Sequence, residues 1–307
     1  MKLIRSIQSI KPNAKGTVAT IGNFDGVHLG HQKIIQRLKE KAKSLDLPLT
    51  VVSFEPLPAE FFMPKPPARI YPLRDKVRLL LQMGVDNFLC LKFDKAFSEQ
   101  SPAAFIQDIL LDKLQVKYLA TGDDFRFGHK REGDFSLLKQ MGEKAEMEVV
   151  DTETCILDGE RISSTRIRKH LEAGEITPAN KLLGYNYQLS GRIRHGDKRG
   201  RTIGFPTLNM KIPNHIAPSR GVYAVTVRGL SKKPLNGVAN LGIRPTVNGT
   251  ENRLETHLFD FDGDVYGKYI CVELIKFIRS EQRFDSFDDL KAQIQKDATL
   301  ARAILSD

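Results

Sequence analysis

Residues 17–32, TVATIGNFDGVHLGHQ, decide the fold of this chain. "TVATI" (17–21) is a short apolar run rich in β-branched residues and reads as a buried strand. "GNFDGVHLGHQ" (22–32) follows with Gly22, Gly26 and Gly30, and "HQKIIQRLKEKAKSL" then sets Ile34, Leu38, Ala42 and Leu45 on one helical stripe. A strand passing through a Gly-rich turn into a helix is the first half of a βαβ unit. That junction leaves backbone N–H groups around a concave pocket, where an anion is favoured. His28 and His31, three residues apart, fall at its edge on one helical face.

Outward from this junction the first half of the chain keeps alternating. "LTVVSF" (49–54), "NFLCLKF" (87–93), "YLATG" (118–122) and "MEVVD" (147–151) read as strands. "RDKVRLLLQMG" (74–84), "SPAAFIQDILLDKL" (101–114) and "FSLLKQMGEK" read as helices, the second with a Ser N-cap and Pro at its first position. The Pro-rich patch at 56–72 suits a loop. Strands separated by helices imply a Rossmann-like parallel α/β domain. After Gly184 the texture changes. "YNYQLSGRI", "GVYAVTV", "LNGVANLG", "RLETHLFD" and "KYICVELIKFI" are short β-rich runs broken by Gly, Pro, Asn and Asp, as in an antiparallel barrel or sandwich. A last helix starts at Ser286, with Phe287, Leu290, Ile294 and Ala301 as its apolar stripe. The expected organisation is an α/β domain over 1–184 and an all-β domain over 185–307.

Composition narrows the function. Apolar residues make up 41% and charged residues 27% of 307, ordinary values for a globular protein with real cores. No apolar stretch approaches the roughly 18–20 residues of a membrane span, and the apolar residues of "MKLIRSIQSIK" are too interrupted for a secretory signal. Cys90, Cys155 and Cys271 are odd in number and far apart, which argues against a disulfide framework or a structural zinc site. The expected location is the cytoplasm, without a membrane partner. Net charge is +10, which suits polyphosphates or nucleic acid. The basic clusters at 161–169 and 192–201 lack interleaved aromatics, so small polyphosphates are the better partner and nucleic acid is not expected.

Three further segments carry chemistry. Two imidazoles at the first junction can donate to phosphate oxygens, although the same residues would also serve as a helix cap. "RISSTRIRKHLEAG" (161–174) places Ser-Ser-Thr before a helix bearing Arg166 and Arg168, a second helix-end anion site or an ordinary capped helix. "GRIRHGDKRGRTIGFPTLN" (191–209) spaces Gly196, Gly200 and Gly204 amid basic residues, a loop able to drape over phosphates. Thr207 and Asn209 supply hard oxygen donors suited to Mg2+. Glu255, in an otherwise apolar strand, is either a general base or a solvent-facing residue. No Walker A motif competes, since "GDVYGKY" (263–269) has the wrong spacing and Tyr269 where a hydroxyl ligand belongs.

The pair of HxGH and a distal Ser-Ser-Thr-x-x-Arg resembles the nucleotidyltransferase superfamily. "GNFDGVHLGHQ", "VVSFEPLPAEFF", "TGDDFRFGHKREGD" and "RISSTRIR" are similar to the FMN adenylyltransferase module of bacterial bifunctional riboflavin kinase/FAD synthetases. "GRTIGFPTLN", "GVYAV", "GVANLGIRPTV", "LETHLFDFDGDVYGK" and "FIRSEQRFDSFDDLKAQI" resemble its riboflavin kinase module, a six-stranded antiparallel barrel with a C-terminal helix. Leu57 and Leu208 depart from the family strings, which often carry His and Ala there. The resemblance implies a Mg2+-dependent enzyme taking ATP, riboflavin and FMN and yielding FMN and FAD, as a monomer or weak oligomer. It implies that His28 and His31 contact the triphosphate, that Ser164, Thr165 and Arg168 hold its outer phosphates, and that Gly22, Phe24 and Asp25 border the nucleotide. Asp124, Phe125 and Arg126 would face the flavin nucleotide and adenosine. In the second module Gly196, Gly200 and Gly204 would meet ATP, Thr207 and Asn209 the metal, Arg279 and Arg283 the flavin, and Glu255 would be the base on the ribityl hydroxyl. Aminoacyl-tRNA synthetases share HxGH, but their KMSKS-type lysine string is missing. A basic flavin- or RNA-binding regulator without turnover is the non-enzyme alternative.

Overall fold

The computed structural model describes residues 1–10, 15–195, 204–246 and 249–306. The chain divides into two compact units, Met1–Pro67 with Lys76–Ser163, and Ala68–Asp75 with Ser164–Asp307.

The first unit is built on a six-stranded sheet of β1 (Lys2–Ile4), β2 (Thr17–Ile21), β3 (Leu49–Glu55), β4 (Asn87–Lys92), β5 (Val116–Thr121) and β6 (Glu148–Asp151). Their order is β1-β4-β3-β2-β5-β6 and every pairing is parallel. The helices are α1 (Leu29–Ser44), α2 (Pro58–Phe62), α3 (Leu73–Gln82, of which 76–82 belong here), α4 (Lys95–Ser98), α5 (Pro102–Ala104) and α6 (Phe135–Lys144). β2 is buried at all its positions because it lies centrally, which is why its sequence is apolar rather than alternating. The chain runs from β2 to β3 on one side, while β5 pairs on the other, so the carboxyl end of β2 is a topological switch point. Ligands of open parallel sheets bind in the crevice at such a point, and "GNFDGVHLGH" leaves β2 there. A two-stranded hairpin, β7 (Ile156–Leu157) and β8 (Glu160–Arg161), closes this unit's chain order.

Three details differ from the sequence-based expectation. β1 is an additional strand, paired in parallel with β4. The expected helix over 101–114 is α5 followed by a π-helical stretch, Phe105–Lys113, which buries Phe105, Ile106, Ile109 and Leu110 in the core. The Pro-rich patch contains the one-turn α2, with Pro58 at its first position, where a missing N–H costs nothing.

The second unit opens with α7 (Ser164–Glu172) and α8 (Ile176–Leu183). Six antiparallel strands follow: β9 (Gln188–Arg192), β10 (Leu208–Ile212), β11 (Gly221–Arg228), β12 (Leu235–Thr246), β13 (Gly249–Leu258) and β14 (Tyr269–Ser280). Their order is β10-β13-β12-β11-β14-β9, and an Arg194–Asn209 bridge nearly closes the sheet into a barrel. α9 (Phe287–Ser306) is capped by Ser286, whose Oγ accepts from Asp289 N at 3.0 Å. It packs Ala298 and Ala301 against Val222, Ala224, Val238 and Phe259. The start of its expected apolar stripe is not packed. Phe287, Leu290 and Ile294 line a cleft instead.

Candidate active sites

The loop leaving β2 is held in a conformation that L side chains rarely adopt. Phe24 has φ +48° and Val27 φ +38°, with Gly26 at φ +90° between them. A β-branched residue there is costly and persists only where surrounding structure over-determines it. Lys76 supplies part of that determination: it is 1% exposed, and its Nζ donates to the Asn23 carbonyl at 2.8 Å and to Ser53 Oγ at 3.4 Å. Phe24 and Asp25 are buried in the same loop, and the Phe24 ring lies 4.8 Å from that of His31.

His28 is the N-cap of α1, its ring stacked on His31 at 3.7 Å between centroids and 19° between planes. Gly30 makes this possible. A Cβ there would stand 3.2 Å from two atoms of the His28 ring. Burial lowers the His28 pKa to about 4, helped by the Arg161 charge. Burial also drives the His31 pKa well below 6.5, helped by His28 and Lys76. Both rings are therefore neutral at pH 7, each with one N–H to donate. His28 Nδ1 loosely accepts from His31 N at 3.4 Å, which leaves its own proton on Nε2. His31 as a residue is half-buried, yet its Nδ1 is enclosed and has no hydrogen-bond partner among the described residues. Arg161 also pairs with Asp124 at 3.4 Å, so Asp124, Arg161 and His28 form one electrostatic group. Phe125 stacks on Phe127 at 5.3 Å, while Arg126 is exposed and donates to the Asp123 and Phe125 carbonyls.

Ser164, Thr165 and Arg168 lie on the first turns of α7, in the second unit. Arg168 Nε donates to the Ala68 carbonyl, and Thr165 is exposed. Gly174 follows the helix at φ +75°.

The barrel carries a cleft of about 700 Å³ lined by Phe205, Thr207, Asn240, Glu255, His257, Arg279 and the start of α9, among others. Period-two alternation on β13 explains the lining: Leu254, Thr256 and Leu258 are buried, and Glu255 and His257 take the other face. A second cleft of about 570 Å³ runs from Pro206 and Thr207 past Phe261, Asp262 and Asp264 to Tyr266. Thr207 lines both. Asn209 sits opposite Glu255 in the β10–β13 ladder, and its Oδ1 is enclosed without a hydrogen-bond partner among the described residues. An enclosed amide oxygen lacking a donor suits a hard cation. Arg279 lines the large cleft but is held by Asp297 of α9, with Nε–O distances of 3.0 Å and an Nη2–O distance of 2.7 Å. Arg283 is exposed and outside that lining. Gly204 is described, at φ +84°, whereas Gly196 and Gly200 lie outside the described residues.

Comparison with known proteins matches this division. The family model for FAD synthetase matches residues 10–166 and that for riboflavin kinase residues 183–305. The bifunctional riboflavin kinase/FMN adenylyltransferase of Escherichia coli K12 is 50% identical over 304 residues, 98% of this chain and 97% of that protein. Its namesake in Haemophilus influenzae is 47% identical over the full length of both. The chain belongs to the bifunctional riboflavin kinase/FMN adenylyltransferase family. A solved structure from Streptococcus pneumoniae, described as a macrolide-efflux protein, superposes with TM-score 0.84 at 30% identity, covering 98% of this chain and 99% of that one. Among the described residues here, no helix is long and apolar enough to cross a membrane.

This bifunctional flavin-synthesising transferase thus has an α/β unit and a barrel unit, in the order the sequence motifs suggest. Sequence reasoning passed over Lys76, Arg161, Asn240 and His257. Arg161 lay in a basic cluster, and His257 stands two residues from Glu255 on one strand face, which are signals that could have found both. A buried Lys76 has no local signal, because its helix reads as amphipathic with lysine on the wet side.

Proposed function

We propose that the barrel, within residues 185–307, phosphorylates riboflavin in the larger cleft with ATP in the adjoining one. The observation that carries this is Thr207 at the junction of the two clefts, with Glu255 lining only the larger. Glu255 takes the proton of the ribityl 5′-hydroxyl as it attacks the terminal phosphorus, and ADP leaves. Thr207 and Asn209 are the residues that would hold Mg2+; the ion, when bound, neutralises charge on the phosphates. The enclosed Asn209 Oδ1, which has no hydrogen-bond partner among the described residues, supports that role.

The α/β domain, within residues 1–184, adenylylates FMN. FMN phosphate attacks the α-phosphorus of ATP in line and pyrophosphate departs, without a covalent intermediate. His28 and His31 act as neutral donors to the triphosphate, at the switch point where the parallel sheet favours a ligand. Gly22, Phe24 and Asp25 form the strained loop beside them. Asp124, Phe125 and Arg126 face the flavin nucleotide. We place both reactions in the cytoplasm, in keeping with three cysteines that are odd in number and far apart in the sequence.

The test is one assay. Purified protein is mixed with riboflavin and Mg-ATP, and FMN and FAD are resolved over time. His31→Ala lets FMN accumulate without FAD. Glu255→Ala slows FMN formation by about 10²–10⁴-fold, the usual contribution of a general base, while sparing FAD made from supplied FMN. Loss of both activities in both variants, with the protein folded, overturns the two-site assignment.

A further inference from the structure

We infer that His257 is a positioning residue for the kinase reaction, tethering the backbone that presents Thr207 to the Mg2+-bound nucleotide. The inference rests on the proposed role of Thr207 and Asn209 as metal-holding residues. His257 Nδ1 lies 2.9 Å from the carbonyl oxygen of Pro206, the residue immediately before Thr207. A carbonyl only accepts, so Nδ1 carries the proton and donates. The ring's orientation is set by two aromatic neighbours. Phe205 meets it edge-on at 5.1 Å and 70°, Phe259 at 5.9 Å and 71°.

The next carbonyl is held as well. Asn209 Nδ2 donates to Thr207 O at 3.5 Å, a long contact from a residue paired directly with Glu255 across β10 and β13. The Thr207 residue is thus tied at the carbonyl on either side, once by β13 through His257 and once by β10 through Asn209. Its hydroxyl is thereby referred to the same strand that carries Glu255. Pro206 strengthens the need for a side-chain tether, because proline brings no N–H for a ladder bond and is itself exposed. Without the tether the Phe205–Thr207 segment must be ordered when the nucleotide binds, and that ordering is charged against affinity.

Two substitutions separate the tether from the packing. His257→Phe keeps an aromatic ring between Phe205 and Phe259 but has no donor. His257→Asn keeps an N–H at the position of Nδ1 and loses the ring. The probe is ADP, with and without Mg2+, titrated calorimetrically into the full-length protein; it is the product of the kinase half-reaction alone. We expect His257→Phe to weaken the Mg2+-dependent part of ADP binding roughly three- to tenfold, the worth of one hydrogen bond. We expect His257→Asn to stay within about twofold of wild type on the same scale. The Mg2+ concentration giving half-maximal FMN formation should move in parallel, with FAD formation from supplied FMN unchanged. Wild-type binding by His257→Phe, or binding by His257→Asn as weak as by His257→Phe, overturns the tether. Thr207→Ala is the control for the underlying reading: if it leaves the Mg2+-dependent increment intact, the metal assignment itself fails. If Thr207→Ala loses that increment while His257→Phe does not, only the tether fails.

Discussion

At the scale of single residues the α/β site is a buried pair of imidazoles whose neutrality is imposed by desolvation. Neutral rings can donate to a triphosphate without first shedding a proton, and they add no positive charge to a pocket that already holds Lys76 and Arg161. Stability should report this. The unfolded chain protonates His28 near the ordinary value of 6.5, the folded chain only near 4. The stability is therefore complete above pH 6.5 and drains away as pH falls toward 4. For His28 alone the loss approaches about 3 kcal/mol. Denaturant midpoints measured from pH 7 to 4.5 should fall, and His28→Gln should flatten the decline. An unchanged slope in that variant would remove His28 as its source. Gly30 is a second residue-scale prediction. Gly30→Ala presses a methyl group to 3.2 Å from the His28 ring. We expect FAD formation to drop at least about tenfold, since small displacements of a positioned group are costly, with FMN formation unaffected. Equal losses in both reactions would point to misfolding rather than to the ring.

At the scale of elements, what could be read from the sequence depended on how local each signal was. β2 and α1 were legible because the change of hydrophobic period falls within a few residues of the Gly-rich turn. β1 was not, since three residues at a sheet edge carry no alternation. β10 begins inside the Pro-Thr-Leu-Asn string and was masked by reading that string as a ligand loop. The π-helical stretch after Ala104 escapes because its apolar residues suit either turn size. On α9 the stripe was legible but its destination was not: half packs on the barrel and half faces the cleft. The join between these halves is Asp297, 5% exposed, which grips Arg279 and accepts from Gln293 at 2.9 Å. Removing one partner of a buried pair strands the other. Asp297→Ala should therefore destabilise the barrel unit by about 3 kcal/mol. Chemical denaturation followed by kinase activity should show that loss, and FAD formation from FMN should outlast it. A loss below about 1 kcal/mol would mean that the pair is solvated, as surface ion pairs are.

At the scale of the whole molecule, sequence order and spatial grouping part company at residues 68–75. They run from the end of the Pro-rich patch into the first turn of α3, yet they belong to the second unit. Arg69 N donates to the His215 carbonyl at 2.9 Å, Ala217 N donates to the Arg69 carbonyl at 2.8 Å, and Tyr187 OH donates to the Ile70 carbonyl at 2.7 Å. Partners more than a hundred residues away leave no trace in a local pattern, so a loop was all the prolines could suggest. The chemistry divides more simply. Every residue lining the large cleft comes from the second unit, and His28, His31, Lys76, Asp124 and Arg161 all come from the first. A substitution at Glu255 leaves the residues assigned to adenylylation in place, and one at His31 leaves those assigned to the kinase, so the two activities need not be intact in one polypeptide. Glu255→Ala and His31→Ala, mixed in equal amounts with riboflavin and Mg-ATP, should then make FAD although neither does so alone. FAD should appear after a lag while FMN builds up in solution, and adding FMN at the start should abolish the lag. A lag in the mixture that the unmutated protein lacks under the same conditions would mean that FMN passes between the sites of one chain without release.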